Sequence, residues 1–207
     1  MLYFAPTNHN SYHHEYIEIE EYNEKTGLLK LKEPFEFYHY GGGDQSDDWG
    51  GIDVRCEVIL LTRNVQIVGD GSNDWGCALM TTDRIEFDQS IRVGRMILKN
   101  IEVYQGGQED TYKAAIRYEG ASRSEISVVD GVSVWGGNAK NLNIKTSKNI
   151  TVKNSSFLGG SQVGIILETV ENVHLDNIFL GDIKRRILNK FLQTVDKEGG
   201  IAFCSFN

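Results

Sequence analysis

The residues of this chain best suited to chemistry carry oxygen and sit close together. Asp44, Asp47, Asp48 and Asp53 fall within the stretch GGGDQSDDWGGID at 41–53. Hard cations such as Ca²⁺ need several carboxylate oxygens side by side, so this stretch reads either as a Ca²⁺ site or as a solvated glycine-rich loop. Asp70-Gly-Ser-Asn-Asp74 has a similar look but lacks the frame and closing Glu of an EF-hand, and reads as a turn. Arg55, Glu57, Arg63 and Asp83 form a second group. Arginine grips carboxylates with two prongs and a carboxylate pair can act as acid and base, which would suit a sugar groove. The same residues would equally make an ion-pair network at a structural junction. Trp49, Trp75 and Trp135 would stack on sugar rings where exposed and pack beneath loops where not. His13-His14 has no further ligands nearby and reads as surface.

These side chains must be positioned by strands. A short phrase returns along the chain: Asn64-Val-Gln-Ile, Arg95-Met-Ile-Leu, Glu125-Ile-Ser-Val, Asn149-Ile-Thr-Val and Asn172-Val-His-Leu, with starts 31, 30, 24 and 23 residues apart. Each copy alternates apolar and polar residues, the period of a strand. Four copies are followed by Asn or Asp at a fixed offset (Asn100, Asp130, Asn154, Asn177), and glycine turns come next. Strand-only repeats of this length predict an all-β stack, a parallel β-helix of about five coils. Its core is expected at Val65, Ile67, Ile97, Ile126, Val128, Ile150, Val152, Val173 and Leu175. The Asn and Asp at the fixed offset are expected to form a structural ladder at a turn, not a binding row.

Before the repeats, Tyr16-Ile-Glu-Ile-Glu, Leu28-Leu-Lys-Leu-Lys and Phe35-Glu-Phe-Tyr read as a strand meander. The division expected is therefore a small β domain over 1–50 and β-helix coils over 51–207. Ile183 to Thr194 reads as a helix or an irregular excursion, and Gly199-Gly-Ile-Ala-Phe-Cys as another coil beginning. The chain is thus expected to stop in mid-stack, as a fragment or as part of a larger assembly. Cys56 and Cys77 lie 21 residues apart, close to one coil, which would permit a disulfide between adjacent turns or two buried free thiols. The three cysteines follow no zinc spacing.

A net charge of −8 argues against nucleic acid and anionic membrane as main partners. No apolar run reaches the length of a membrane span, and the first residues do not read as a signal peptide. Asn149-Ile-Thr and Asn154-Ser-Ser are glycosylation sequons, weak support for secretion.

The segment Asp53-Val-Arg-Cys-Glu-Val-Ile-Leu-Leu-Thr-Arg-Asn-Val-Gln-Ile-Val-Gly-Asp resembles the junction between the G-eight domain and the β-helix of the fibrocystin and fibrocystin-like proteins and their relatives, the cell-surface hyaluronidases. Cys56 and Ile59 stand where that pattern has Ala and Gly. Ala5-Pro-Thr-Asn, Tyr16-Ile-Glu-Ile and Leu29-Lys-Leu-Lys-Glu-Pro-Phe resemble the last third of the G-eight domain; Gly106-Gly-Gln108 and Ala115-Ile-Arg-Tyr-Glu resemble the next coils. The resemblance covers about residues 2 to 180 and implies a right-handed β-helix. It implies a cell-surface, even ciliary, setting and a protein partner or surface glycan as ligand. The hyaluronidase branch carries histidines at the places of Arg117 and Glu119 and near Val134-Trp135, where this chain has none. That departure favours a non-catalytic binding module or structural rod. The alternative is a polysaccharide-degrading enzyme whose site would need Arg55, Asp83, Arg117 and Glu119 to converge. A third reading is an architectural subunit of a larger assembly.

Overall fold

The computed structural model describes residues 1–43, 50–72 and 75–183, together with the backbone of 201–204. Among these the chain is all-β apart from short 3₁₀ turns such as Ser11–His13, and most of its pairing is parallel. No helix among them is long and apolar enough to cross a membrane. The expected loop residues Asp44, Asp47, Asp48 and Trp49, and nearly all of the 183–194 excursion, lie outside the described residues.

The chain divides into two units, Met1–Thr62 and Arg63–Asn207, so the first extends past the expected boundary at 50. The reason is pairing: strand Val58–Leu60 runs antiparallel to Leu2–Phe4, whose other edge takes Glu15–Ile17. Residues just after 50 therefore belong to the antiparallel unit. Its core is small, with Leu2, Phe4 and Ile17 buried and Ile19, Leu31 and Cys56 packed against them. A two-stranded ribbon, Ile19–Asn23 with Leu28–Leu31, extends from it. Phe35-Glu-Phe-Tyr, expected as a strand, is irregular. Its backbone is claimed by a side chain instead: the Glu15 carboxylate accepts from the N–H of Glu36 at 2.7 Å and of Phe37 at 3.3 Å.

The second unit is built from two parallel sheets. One, of seven strands, contains Val65–Val68, Ile97–Lys99, Ile101–Tyr104, Ser127–Asp130, Ser133–Trp135, Lys148–Leu158 and Glu171–Gly181. The other contains Leu79–Thr81, Ile116–Glu119, Leu142–Lys145, Ile165–Glu168 and Ile201–Cys204. The last strand is the row that Gly199-Gly-Ile-Ala-Phe-Cys led us to expect. Like residues stack on like: Val134, Phe157 and Leu180 form one column, and Ile116, Leu142 and Ile165 another. These columns interlock in one apolar cluster centred on Tyr118, Phe157 and Ile144.

The expected core is present where the repeat copies share one register and absent where a copy is offset by one residue. Ile150 and Val152 are buried and Ile67, Val173 and Leu175 half-buried, whereas Val128, though half-buried, lies on the outer face in register with Ile97 and Thr151. Ser127 pairs with Ile150, so the copy Glu125-Ile-Ser-Val is out of phase with Asn149-Ile-Thr-Val. A one-residue slip turns a strand over: Ser127 and Val129 face inward and Ile126 is 60% exposed. Ile97 is likewise exposed, and Leu98 packs inward in its place. Val65 is exposed because its strand ends the order of the seven-stranded sheet.

The corners are set by residues in the left-handed region. Asn100, Gly131, Asn154 and Asn177 succeed one another row by row with φ of 50°, 66°, 48° and 50°. Asn adopts this conformation at lower cost than other L-residues. Its amides then bond along the stack. Asn177 Nδ2 donates to Asn154 Oδ1 at 2.9 Å, and Asn154 Nδ2 donates to Asp130 Oδ1 at 3.0 Å. A second ladder joins Asn172 Nδ2 to Asn149 Oδ1 at 2.8 Å. The expected structural ladder is therefore present. Gly131 is glycine for a further reason: a Cβ there would collide with Asn100 Oδ1.

Candidate functional site

Trp75 is fixed by its backbone and open at its ring. It forms an antiparallel bridge with Gln108, while 57% of its surface stays exposed. Lys113 Nζ sits 4.9 Å from the ring centroid. The residue before Lys113, Tyr112, is 62% exposed and carries the guanidinium of Arg117 at 4.5 Å from its own ring. The turn that presents both is held by Gln108 N–H to Lys113 O at 3.0 Å and by Thr111 Oγ1 donating to Gln108 O at 2.9 Å. Two exposed aromatics of the second unit thus each carry a cation over the ring. Gln108 Oε1 and Asn143 Oδ1 are buried acceptors without a hydrogen-bond partner. Asn143 is the register partner of Arg117 on the neighbouring strand.

Trp135 is arranged differently from Trp75. Its Nε1 donates to Glu102 Oε1 at 2.9 Å and its ring lies 4.2 Å from that of Tyr104, leaving it half-buried. Glu102 is almost fully buried and also accepts from Arg63 N–H at 3.0 Å and from Gln66 Nε2 at 2.8 Å. Trp135 is therefore part of a buried polar network and not an open stacking face. Arg63 joins that network and reaches on to Gly131 O at 3.0 Å.

Each of the four residues of the enzymatic alternative is engaged locally. Arg55 belongs to the first unit, where its guanidinium grips Asp53. Bonding from the Arg55 side chain and N–H holds the Asp53 carboxyl down at about 2. That carboxylate, expected among the Ca²⁺ ligands, is thus occupied by arginine, and no cluster of three or more metal-binding side chains occurs among the described residues. Asp83 turns its carboxylate to the backbone: Oδ1 accepts from Gly94 N–H at 2.7 Å and from Ser122 N–H at 3.1 Å, which fixes a corner. Arg117 and Glu119 do meet, as an ion pair along one strand. On the next rows Lys145 pairs with Glu168 at 3.0 Å, so this is an ion-pair ladder on the outer face of the sheet.

The Cys56–Cys77 disulfide is not formed; both thiols are free. The 21-residue spacing does not span one coil, because Cys56 lies in the antiparallel unit, donating to Ala5 O at 3.2 Å, and Cys77 packs against the parallel core. The sequons are equally committed. Asn149 Nδ2 donates to Ser122 O at 3.1 Å and Asn154 Nδ2 serves the ladder, so a glycan on either would displace a structural N–H.

A constellation absent from the sequence reading lies in the first unit. His39 Nε2 is 2.6 Å from Glu15 Oε2, its Nδ1 is 2.9 Å from Ala5 O, and Cys56 Sγ is 3.6 Å from Nδ1. Cys, His and Glu in a row invite a nucleophilic reading, but the geometry opposes it. Nδ1 is already committed to a carbonyl, and burial pushes the Cys56 thiol up, away from thiolate. Both ring nitrogens face acceptors, the arrangement of a structural imidazole pinned between backbone and carboxylate. Burial alone would raise the Glu15 carboxyl. The N–H of Glu36, the His39 imidazole and the N–H of Phe37 outweigh that and hold it below its usual range.

No protein-family model matches the chain, and no solved structure matches it. The chain is similar to a protein of Dictyostelium discoideum, 44% identical over 45 residues that span 22% of this chain and 4% of that protein. The match is thus confined to a small part of both.

Proposed function

We propose that this chain is a right-handed parallel β-helix module of a fibrocystin-like cell-surface protein, and that it binds glycan without cleaving it. The solenoid is supported by the parallel register that returns every 23 residues at Asn149–Asn172 and Asn154–Asn177 and by the left-handed corner residues above each other. Right-handed winding is the near-universal rule for crossovers between parallel strands of one sheet. The family assignment is supported by the junction motif at 53–70.

One observation carries the functional reading: Trp75 and Tyr112 are exposed aromatics, each with a cation over one side of its ring, and Tyr112 stands on a braced turn. Sugar rings stack on exposed aromatic surface, and hydroxyl or carboxylate groups would find the Lys113 ammonium beside it. Catalysis finds no matching support, because Asp83 is spent on backbone N–H groups and Glu119 on Arg117.

The test is titration of the purified chain against hyaluronan and a panel of neutral and acidic polysaccharides, with polymer length measured before and after. Binding without shortening is expected, weakened about tenfold or more by Trp75→Ala or Tyr112→Ala, which equals about 1.4 kcal/mol. Shortening that disappears in Glu119→Gln would replace this reading with the enzymatic one. Binding unchanged by both aromatic variants would remove the site.

A further inference from the structure

If Trp75 and Tyr112 hold glycan as proposed above, the charges around them set which class of glycan they take. Three cations stand there, and two are already engaged. The Arg117 guanidinium pairs with Glu119 and lies over Tyr112, and its side chain is only 12% exposed. Lys140, whose carbonyl accepts from Ala115 N–H, is half-buried and donates from Nζ to Thr111 O at 2.8 Å. Lys113 is the cation over Trp75.

Acids outnumber Lys113 on its own turn. Glu109 and Asp110 lie between Gln108 and Lys113, so this braced turn carries one negative charge in excess. Asp110 is exposed and is close enough to act electrostatically on Lys140. A neutral sugar loses nothing by this balance, since its ring carbons can stack on the aromatics and one hydroxyl can accept from Lys113. A polyanion brings a charge with every repeat. It would meet Glu109 and Asp110 beside Lys113, on a chain whose net charge is −8. We propose that this site takes neutral polysaccharide and disfavours polyanionic glycan, with Glu109 and Asp110 as the residues that set the preference.

The test compares matched polymers. A soluble β-glucan, a xylan and a galactomannan are each titrated into the purified whole chain beside their carboxymethylated forms, at about 20 and about 500 mM salt. In low salt the neutral form of the bound polymer should bind about fivefold or more tighter than its anionic form. High salt should shrink that gap by screening and leave the neutral affinity nearly unchanged. Glu109→Gln combined with Asp110→Asn reverses the charge of the turn and should close the gap. Asn suits the φ of 55° at position 110, and circular dichroism checks the fold. An anionic form that binds as tightly as the neutral one in low salt overturns the proposal. So does a gap that the double variant leaves unchanged. In both cases the glycan site itself stands, provided that binding is still lost in Trp75→Ala. No binding of any polymer, or binding that survives both Trp75→Ala and Tyr112→Ala, removes the site and this preference with it.

Discussion

Among the described residues, fifteen buried side chains of the second unit join one apolar cluster, whereas three of the first unit do. The larger unit places equivalent residues above one another, so each row supplies the packing surface for the next. The smaller unit closes its irregular segment with a polar lock instead: Glu15 holds two backbone N–H groups and His39, and His39 holds Ala5 O. Repetition can build a core from short strands of ordinary composition. A unit without repetition must satisfy its backbone one group at a time, and the side chains that do so are polar and buried.

The largest test of this contrast is truncation of a stacked core residue. Phe157 is fully buried between Val134 and Leu180 in adjoining rows. Phe157→Ala should cost about 3–5 kcal/mol, the range for a large core aromatic. Phe4→Ala, at the edge of a three-residue core, should cost less, about 2 kcal/mol. Urea denaturation monitored by circular dichroism gives both values. Equal costs would show that the small unit is as tightly organised as the large one.

The polar lock comes next in size. Glu15→Gln keeps one acceptor but removes the charge that faces His39, and should destabilise the first unit by about 2 kcal/mol. The same lock gives a pH dependence. A carboxyl held below its unfolded value adds stability that is fully present above the unfolded pKa, near 4.3, and is lost as pH falls through the folded value. Acid should therefore loosen the 35–40 segment below about pH 4, while Glu15→Gln abolishes that limb. Hydrogen exchange at the amides of Glu36 and Phe37 reads both effects directly. Protection at these amides that is insensitive to pH and to the substitution would show that the segment is held by packing instead.

The contrast also explains what could be read from the sequence. Repetition was visible because it leaves marks at fixed intervals, and the Asn ladder followed from Asn100, Asp130, Asn154 and Asn177 alone. Phase was harder. Ser127 lies inward beneath Ile150, and a serine in the core column hid the one-residue offset that exposes Ile126. Trp75 was legible from its loop context, but Tyr112 became a partner only when the turn at Thr111–Lys113 brought it beside Arg117. Glu102 and the Glu15–His39 pair left no signal, because their partners are 33 and 24 residues away and no spacing rule links them. The acidic stretch at 44–48 lies outside the described residues, and Asp53 beside it is drawn off by Arg55.

The smallest effect tests how the stacked unit turns its corners. Asn154 does two jobs: it bonds Asp130 and Asn177, and it sits at φ 48°. Asn154→Gly removes the bonds and keeps the conformation, so it should cost about 1 kcal/mol. Asn154→Ala removes the bonds and also forces a Cβ residue into the left-handed region, so it should cost about 2 kcal/mol. The gap between the two variants is the quantity of interest, since it isolates the backbone requirement from the ladder. Equal costs would mean that the row closes without the left-handed corner. A Gly variant as stable as the parent would mean that the ladder follows from the stacking and does not contribute to it.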